Sequence, residues 1–349
     1  MNTDIALWMV QDGVVTGAIY GLMALALVLV FAVTRVIFVP QGEFVSMAGL
    51  TLGTLQLGQT PGTVYLLVGG GLLVAAVEMV QAARLGLLRQ RLPRLILAWI
   101  ILPVAMAMLV VWLAPHKLGS WVEMALTLGL IVPVGPMLYR IAYRPLANAS
   151  VLVLFIVSMA VHYALTGIEL AMFGGEGLRT NAISDWVLGS GSMKIGAQSI
   201  WVVSASVACM VVLWFFFERS LYGKALRATA INRVGARLVG ISTDLAGRTA
   251  FLLAAAIGAL SGLLMSPITT VYFDSGLMIG LKGFVGAILG GMVSYPLAVL
   301  GAVGVGLLES FSSFWASAYK ETIVFTLLIP VLLWRSLTAR HLVAEDEEE

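Results

Sequence analysis

Long apolar runs separated by short polar loops set the pattern of this chain. Runs that cross or nearly cross a bilayer fall at 13–35, 43–58, 63–83, 95–114, 121–139, 150–172, 199–217, 249–271, 276–293, 297–316 and 321–335. The second, ninth and eleventh are short. Short runs predict tilted, broken or re-entrant segments, whose backbone must be buried in protein or line a cavity. The pattern predicts an all-α polytopic membrane protein with about eleven crossings, and nine to eleven fit the run lengths.

The longest polar interruption runs from Glu218 to Arg248. Leu221, Ala225, Leu226, Ile231, Val234 and Leu238 recur there, largely at spacings of three and four. Between them stand Arg219, Lys224, Arg227, Arg233, Arg237 and Arg248. That spacing predicts one amphipathic helix or two short ones, with an apolar face and a cationic face. Gly240 suits a helix C-cap, and Ser242 to Asp244 suits the N-cap of the next span. Such an element touches either a partner or an anionic lipid surface.

Composition agrees with the pattern. The chain is 60% hydrophobic and 11% charged over 349 residues. A soluble domain cannot hide that much apolar surface. Its 37 glycines suit close helix packing in lipid. The single cysteine, Cys209, allows no disulfide within the chain and reads as packing. The first 13 residues carry no Lys or Arg, so the first apolar run is expected to be a retained span. The formal charge of +2 conceals an acidic end, Glu345 to Glu349. Residues 344–349 are expected to form a solvated, disordered tail, and 1–343 a single transmembrane domain.

Basic residues orient the chain. With the N-terminus outside, the inner segments are 36–42, 84–94, 140–149, 218–248, 294–296 and the C-terminus. About 15 of the 20 Lys and Arg residues then fall inside or at the inner edge, so N-out, C-in is expected. The exceptions are Lys117, Arg179, Lys194, Lys282 and Lys320. Arg84, Arg89, Arg91 and Arg94 form a second basic cluster, either a topology anchor or a partner site. The outer segment 174–198 is Gly- and Ser-rich and offers the largest surface to an external partner.

Catalytic motifs are missing. Gly223-Lys224 lacks the upstream glycine of a phosphate-cradling loop and is followed by Ala225. HExxH and GxSxG do not occur, and His116, His162 and His341 are far apart. Glu43, Glu78, Glu123, Glu169 and Glu309 lie in or near spans, and none is paired with another at helical spacing. The chain reads as a conduit without covalent chemistry, a metal site or a nucleotide site of its own. Energy would come from a partner.

Four blocks in order resemble the permease subunits of Liv-type, branched-chain amino-acid ABC importers. They are Tyr20 to Phe31 followed by Thr34-Arg35-Val36-Ile37 and Gln41-Gly42-Glu43-Phe44; Ala142-Tyr143-Arg144-Pro145-Leu146; Leu221 to Ala228 with Leu238 to Ile241; and Gly283 to Glu309. Phe38-Val39-Pro40-Gln41 departs from the family's Asn and His before GEF. The segment 63–120 looks like an added hairpin, which preserves the orientation of everything after it.

The resemblance implies an ABC importer permease fold in the cell inner membrane. It implies a second, related permease chain, two cytosolic ATPase subunits using ATP and Mg, and an external solute-binding protein; nucleic acid has no part. It makes 218–248 the ATPase-coupling loop, with Leu221, Gly223, Lys224, Arg227, Arg233, Arg237, Leu238 and Gly240 as its contact residues. For the substrate pathway it points to Tyr20, Gly21, Gly42, Glu43, Gly286, Gly290, Gly291 and Glu309. Each keeps a second use. Glu43 caps a helix N-terminus or faces substrate. Glu309 lines the path or makes an interhelical hydrogen bond. Tyr20, Gly21 and the three later glycines pack helices or serve the path. The expected cargo is a branched-chain amino acid; urea, amides and aromatic acids are alternatives, as is a stand-alone secondary transporter or channel.

Overall fold

A computed structural model describes residues 3–116, 118–189, 194–292, 294–327 and 329–333. The expected tail at 344–349 and Lys117 lie outside these residues. The described chain is a helical bundle. It contains α1 (Thr3–Thr34), α2 (Glu43–Gln56), α3 (Thr63–Arg84), α4 (Leu88–Ile96), α5 (Leu102–Leu113), α6 (Ser120–Ile131), α7 (Val134–Leu138) and α8 (Val151–Phe173). It continues with α9 (Ala197–Arg219), α10 (Leu221–Ile231), α11 (Arg233–Leu238), α12 (Thr243–Met265), α13 (Ser275–Leu289), α14 (Tyr295–Trp315) and α15 (Lys320–Thr326). Each apolar run of the sequence meets a helix. Eight helices among the described residues have the length and composition to cross a membrane. The runs expected to be short give the 14-residue α2, the 15-residue α13 and the seven-residue α15.

The core centres on α1, whose residues Met23 to Val30 are almost sealed from solvent. Glycine explains its closest neighbour. Gly13 and Gly17 stand four apart, and a Cβ on either would lie 2.7 or 2.6 Å from the backbone of Leu307 or Val303 in α14. Gly306 returns the contact against Gly13 and Gly17. Without lipid-excluded water to drive them together, spans associate by such close packing.

After α1 the chain turns back into the protein. Arg35 adopts a left-handed conformation (φ 62°) that ends the helix. Phe38 then packs edge-on to Tyr143 and Phe251, and Pro40 sits in a short 3₁₀ turn, Val39–Gly42, that leads into α2. Helix α12 lies against both α1 and α2. The segment between α8 and α9 is tied down: Leu178 pairs with Val271, Thr180 Oγ1 meets Ser266 Oγ at 2.8 Å, and Arg179 donates to the Pro267 carbonyl.

Candidate functional site

Helices α2 and α13 both begin deep inside the bundle. The Gln41 side chain donates to the carbonyl of Ala254, half-way along α12, at 2.9 Å. Glu43 meets His162, half-way along α8. The first turn of α2 therefore lies at mid-depth. There Gly42 touches Gly276 in the first turn of α13 so closely that a Cβ on either would overlap the other's backbone. From this point the helices diverge. Gly49 of α2 reaches Ser266, just past the end of α12, while Gly290, beyond α13, packs on Ala298 at the start of α14. Two helix N-termini, each with a partial positive charge, thus converge at one depth.

Acid chemistry gathers at the same place. Glu43 and Glu169 are 0% exposed and His162 is 3% exposed. His162 Nδ1 lies 2.8 Å from Glu43 Oε1, and Ser46 Oγ donates to the Glu43 carbonyl. Thr166 Oγ1 donates to the His162 carbonyl at 3.0 Å. The Glu169 carboxyl faces Glu43 and Ser46. Glu43 Oε2 and both Glu169 oxygens make no well-formed hydrogen bond. Of the expected pathway residues, Gly42 and Glu43 belong here. Glu43 does begin a helix, and it also belongs to a polar cluster. No spanning acid is paired with another at helical spacing, as expected; Glu43 and Glu169 come from separate helices and face each other through the fold.

A second polar cluster holds Tyr20 and Glu309. Lys282 Nζ lies 2.6 Å from Glu309 Oε1 and 3.0 Å from Glu321 Oε1, and Tyr20 Oη donates to Glu309 Oε2 at 2.6 Å. Glu309 thus makes an interhelical ion pair and hydrogen bond joining α14 to α13 and α1. Lys282 is not a loop residue at all, which accounts for its place among the exceptions to the charge pattern. Gly21 lies against Val299 in α14, and Gly286 packs on Ala302. Gly291 turns the chain after α13 with φ 77°. These glycines serve the α1, α13 and α14 contacts and do not join the Glu43 cluster.

The polar interruption forms two short helices, α10 and α11. Ser220 caps α10 by accepting from Gly223 N at 2.9 Å, and Asn232 caps α11 by accepting from Gly235 N at 2.8 Å. Gly240, at φ 84°, closes α11: its N–H meets the Arg237 carbonyl and the Ile241 N–H meets that of Ala236. Leu221 and Leu238 are 83% and 84% exposed. Leu226 is instead buried against the bundle, and Gly223 packs on the Phe216 backbone. Three of the arginines are engaged within the chain. Arg227 pairs with Glu218 at 2.8 Å, Arg233 donates to the Ala147 carbonyl at 2.9 Å, and Arg237 donates to Thr243 Oγ1 at 3.0 Å. Lys224 stands exposed on α10.

Pattern reading missed His162, Glu169 and Lys282 as site residues. The signal was present, since an ionisable residue inside an apolar run is functional or paired. The partners of His162 and Lys282 lie 119 and 27 residues away in sequence, beyond any helical period.

Fold and site together define a multi-pass membrane protein built to carry polar chemistry at mid-depth. Residues 100–332 match the family described as branched-chain amino acid transport system / permease component, and the chain belongs to that family. It is 33% identical over 203 residues to the high-affinity branched-chain amino acid transport system permease protein LivH of Escherichia coli, covering 56% of this chain and 65% of that one. Against the permease protein BraD of Pseudomonas aeruginosa it is 31% identical, with 56% and 66% covered. A probable LivH of Methanocaldococcus jannaschii is 26% identical over 233 residues, covering 60% and 71%. The chain therefore spans about two thirds of the length of the curated relatives it matches. Among solved structures, PsaBC from Streptococcus pneumoniae in complex with Fab aligns over 93% of this chain and 90% of that one at 11% identity, with a TM-score of 0.36.

Proposed function

We propose that the chain is the membrane-spanning permease subunit of an ABC importer for branched-chain amino acids. It sits N-out, C-in in the cell inner membrane, with about eleven passes. The passes include α2 and α13, each completed by the non-helical stretch leading to its first turn. A second permease chain, two cytosolic ATPases and an external binding protein complete the transporter. The supporting observation is the pair α10–α11, capped at each joint and exposing Leu221 and Leu238 at their surface. Exposed leucines on a rigid, capped element fit a groove on a partner. In this reading Leu221, Lys224 and Leu238 touch the ATPase. Gly223, Arg227, Arg233, Arg237 and Gly240 hold the element in shape. Substrate passes the α2–α13 junction, where Gly42 and Glu43 stand.

Co-expression with the two ATPases and the second permease tests this. The expected result is a copurifying complex whose ATP hydrolysis drives uptake of leucine, isoleucine or valine into proteoliposomes when the binding protein is supplied. Uptake of urea, amides or aromatic acids alone would replace the cargo and keep the class.

The buried clusters at Glu43 and Lys282 support a second reading, a secondary transporter driven by ions, since such proteins place ionisable groups at mid-depth. Uptake by the isolated chain without ATP, driven by an imposed ion gradient, would favour it.

A further inference from the structure

Helices α3 to α5 pack as a satellite of the bundle. Val64, Leu67, Val74, Ala107 and Val110 share a core of their own with Leu130 and Met137. The outer faces carry exposed Leu72, Leu73, Met108 and Trp112, suited to lipid. One buried acid breaks this apolar pattern. Glu78 on α3 faces two arginines of the segment that follows α7. Arg144 Nη1 donates to Glu78 Oε1 at 2.6 Å, and Arg140 pairs with the same oxygen. Trp99 of the satellite lies under the Arg140 guanidinium, 5.4 Å from it.

These arginines do more than receive the satellite. Arg144 Nε lies 2.8 Å from Asp244 Oδ1 in the first turn of α12. Three residues past Arg144, the Ala147 carbonyl accepts from Arg233 of α11. Beside Asp244, Thr243 accepts from Arg237 of α11. Both tethers of α11, one on the Ala147 carbonyl and one on the Thr243 hydroxyl, thus end beside residues that Arg144 ties together. Arg140 and Arg144 are like charges converging on one carboxylate oxygen. Removing that charge leaves them to repel in a partly desolvated place, with Asp244 as the remaining counter-ion.

We propose that Glu78 is a positioning residue for α11: the satellite hairpin fixes the seat of the coupling element through Arg140 and Arg144. The proposal rests on the reading of α10–α11 as the element that meets the ATPase. Its alternative is that Glu78 only fastens the hairpin to the bundle. The two differ in what happens at α11, and Leu238 is exposed enough to carry a probe there.

The test uses the chain alone in lipid nanodiscs, in a Cys209→Ser background, with a spin label at Leu238→Cys and a control label at Leu221→Cys on α10. With Glu78→Gln, the label at 238 is expected to gain mobility while the label at 221 keeps its line shape. Glu78→Asp is expected to restore the original spectrum. In the assembled transporter, Glu78→Gln should keep its ATPases and lose about threefold or more in substrate moved per ATP hydrolysed. Arg144→Gln, whose side chain is one third exposed, should reproduce the effect if Glu78→Gln does not fold. An unchanged spectrum at 238 in a folded Glu78→Gln or Arg144→Gln protein overturns the proposal. An equal gain of mobility at both labels also overturns it, since a general loosening moves both. The spectra need no ATPase, so failure to bind one counts against the proposed function and leaves this test standing.

Discussion

Replacing Glu309 by leucine isolates the Lys282 cluster. The Lys282 side chain is 7% exposed, and its remaining counter-ion, Glu321, is 42% exposed. Breaking a buried ion pair by removing one partner costs about 3–5 kcal/mol, and the surviving contact to Glu321 places the expected cost near the lower end. Tyr20 loses its acceptor at the same time, which adds about 1 kcal/mol. A Lys282→Met, Glu309→Leu double variant removes both charges and fills similar volume. It is expected to fall within about 1–2 kcal/mol of the parent, because apolar replacement of a whole buried pair is often neutral. The coupling between the two sites is then about 2 kcal/mol or more. Reversible unfolding in mixed micelles, read on the parent, both single variants and the double variant, measures it. A single variant losing less than about 1 kcal/mol, or a double variant losing the sum of the singles, refutes the reasoning. Transport by the double variant separates the two uses of Glu309: retained uptake marks an interhelical lock, and lost uptake in a stable protein marks the path.

Other expectations follow from the same geometry. Leu221→Asp with Leu238→Asp should abolish copurification of the ATPases without lowering the amount of inserted chain, because both side chains are exposed and bear no internal load. Arg227→Glu with Arg233→Glu should also lose the ATPase, here through displacement of α10 and α11, and limited proteolysis of the loop should speed up. Gly306→Leu should separate α1 from α14 and cost about 1–3 kcal/mol by overpacking, visible as a lower midpoint in the same unfolding assay. Gly42→Ala should reduce uptake while leaving ATPase association intact, since its methyl group overlaps the Gly276 carbonyl at the α2–α13 junction. Changing Arg84, Arg89, Arg91 and Arg94 together to Glu should remove the topology signal of the satellite, and cysteine labelling of the 84–94 loop from either side of the membrane would read its new location.

Much of the architecture was legible along the chain. Run length alone located the spans, because a helix in lipid satisfies its own backbone and needs only enough apolar residues. The caps at Ser242 and Gly240 were legible for the same local reason, whereas the spacing allowed one amphipathic helix or two short ones, and the structure has two.

Tertiary structure decided the rest. Leu226 belongs to the expected apolar face of the polar interruption and is buried against the bundle, because helical period fixes which residues share a face and leaves open which face meets the bundle. Arg233 of the polar interruption was expected to meet a partner and is engaged within the chain, by the Ala147 carbonyl 86 residues away. The apolar runs sufficed to show that this chain crosses a membrane many times and which loop interrupts the pattern. Only the fold decided that Glu43, His162 and Glu169 share one buried place, and that Lys282 belongs with Glu309. Helical period is a local property, whereas these meetings depend on backbones approaching as closely as Gly42 and Gly276 do.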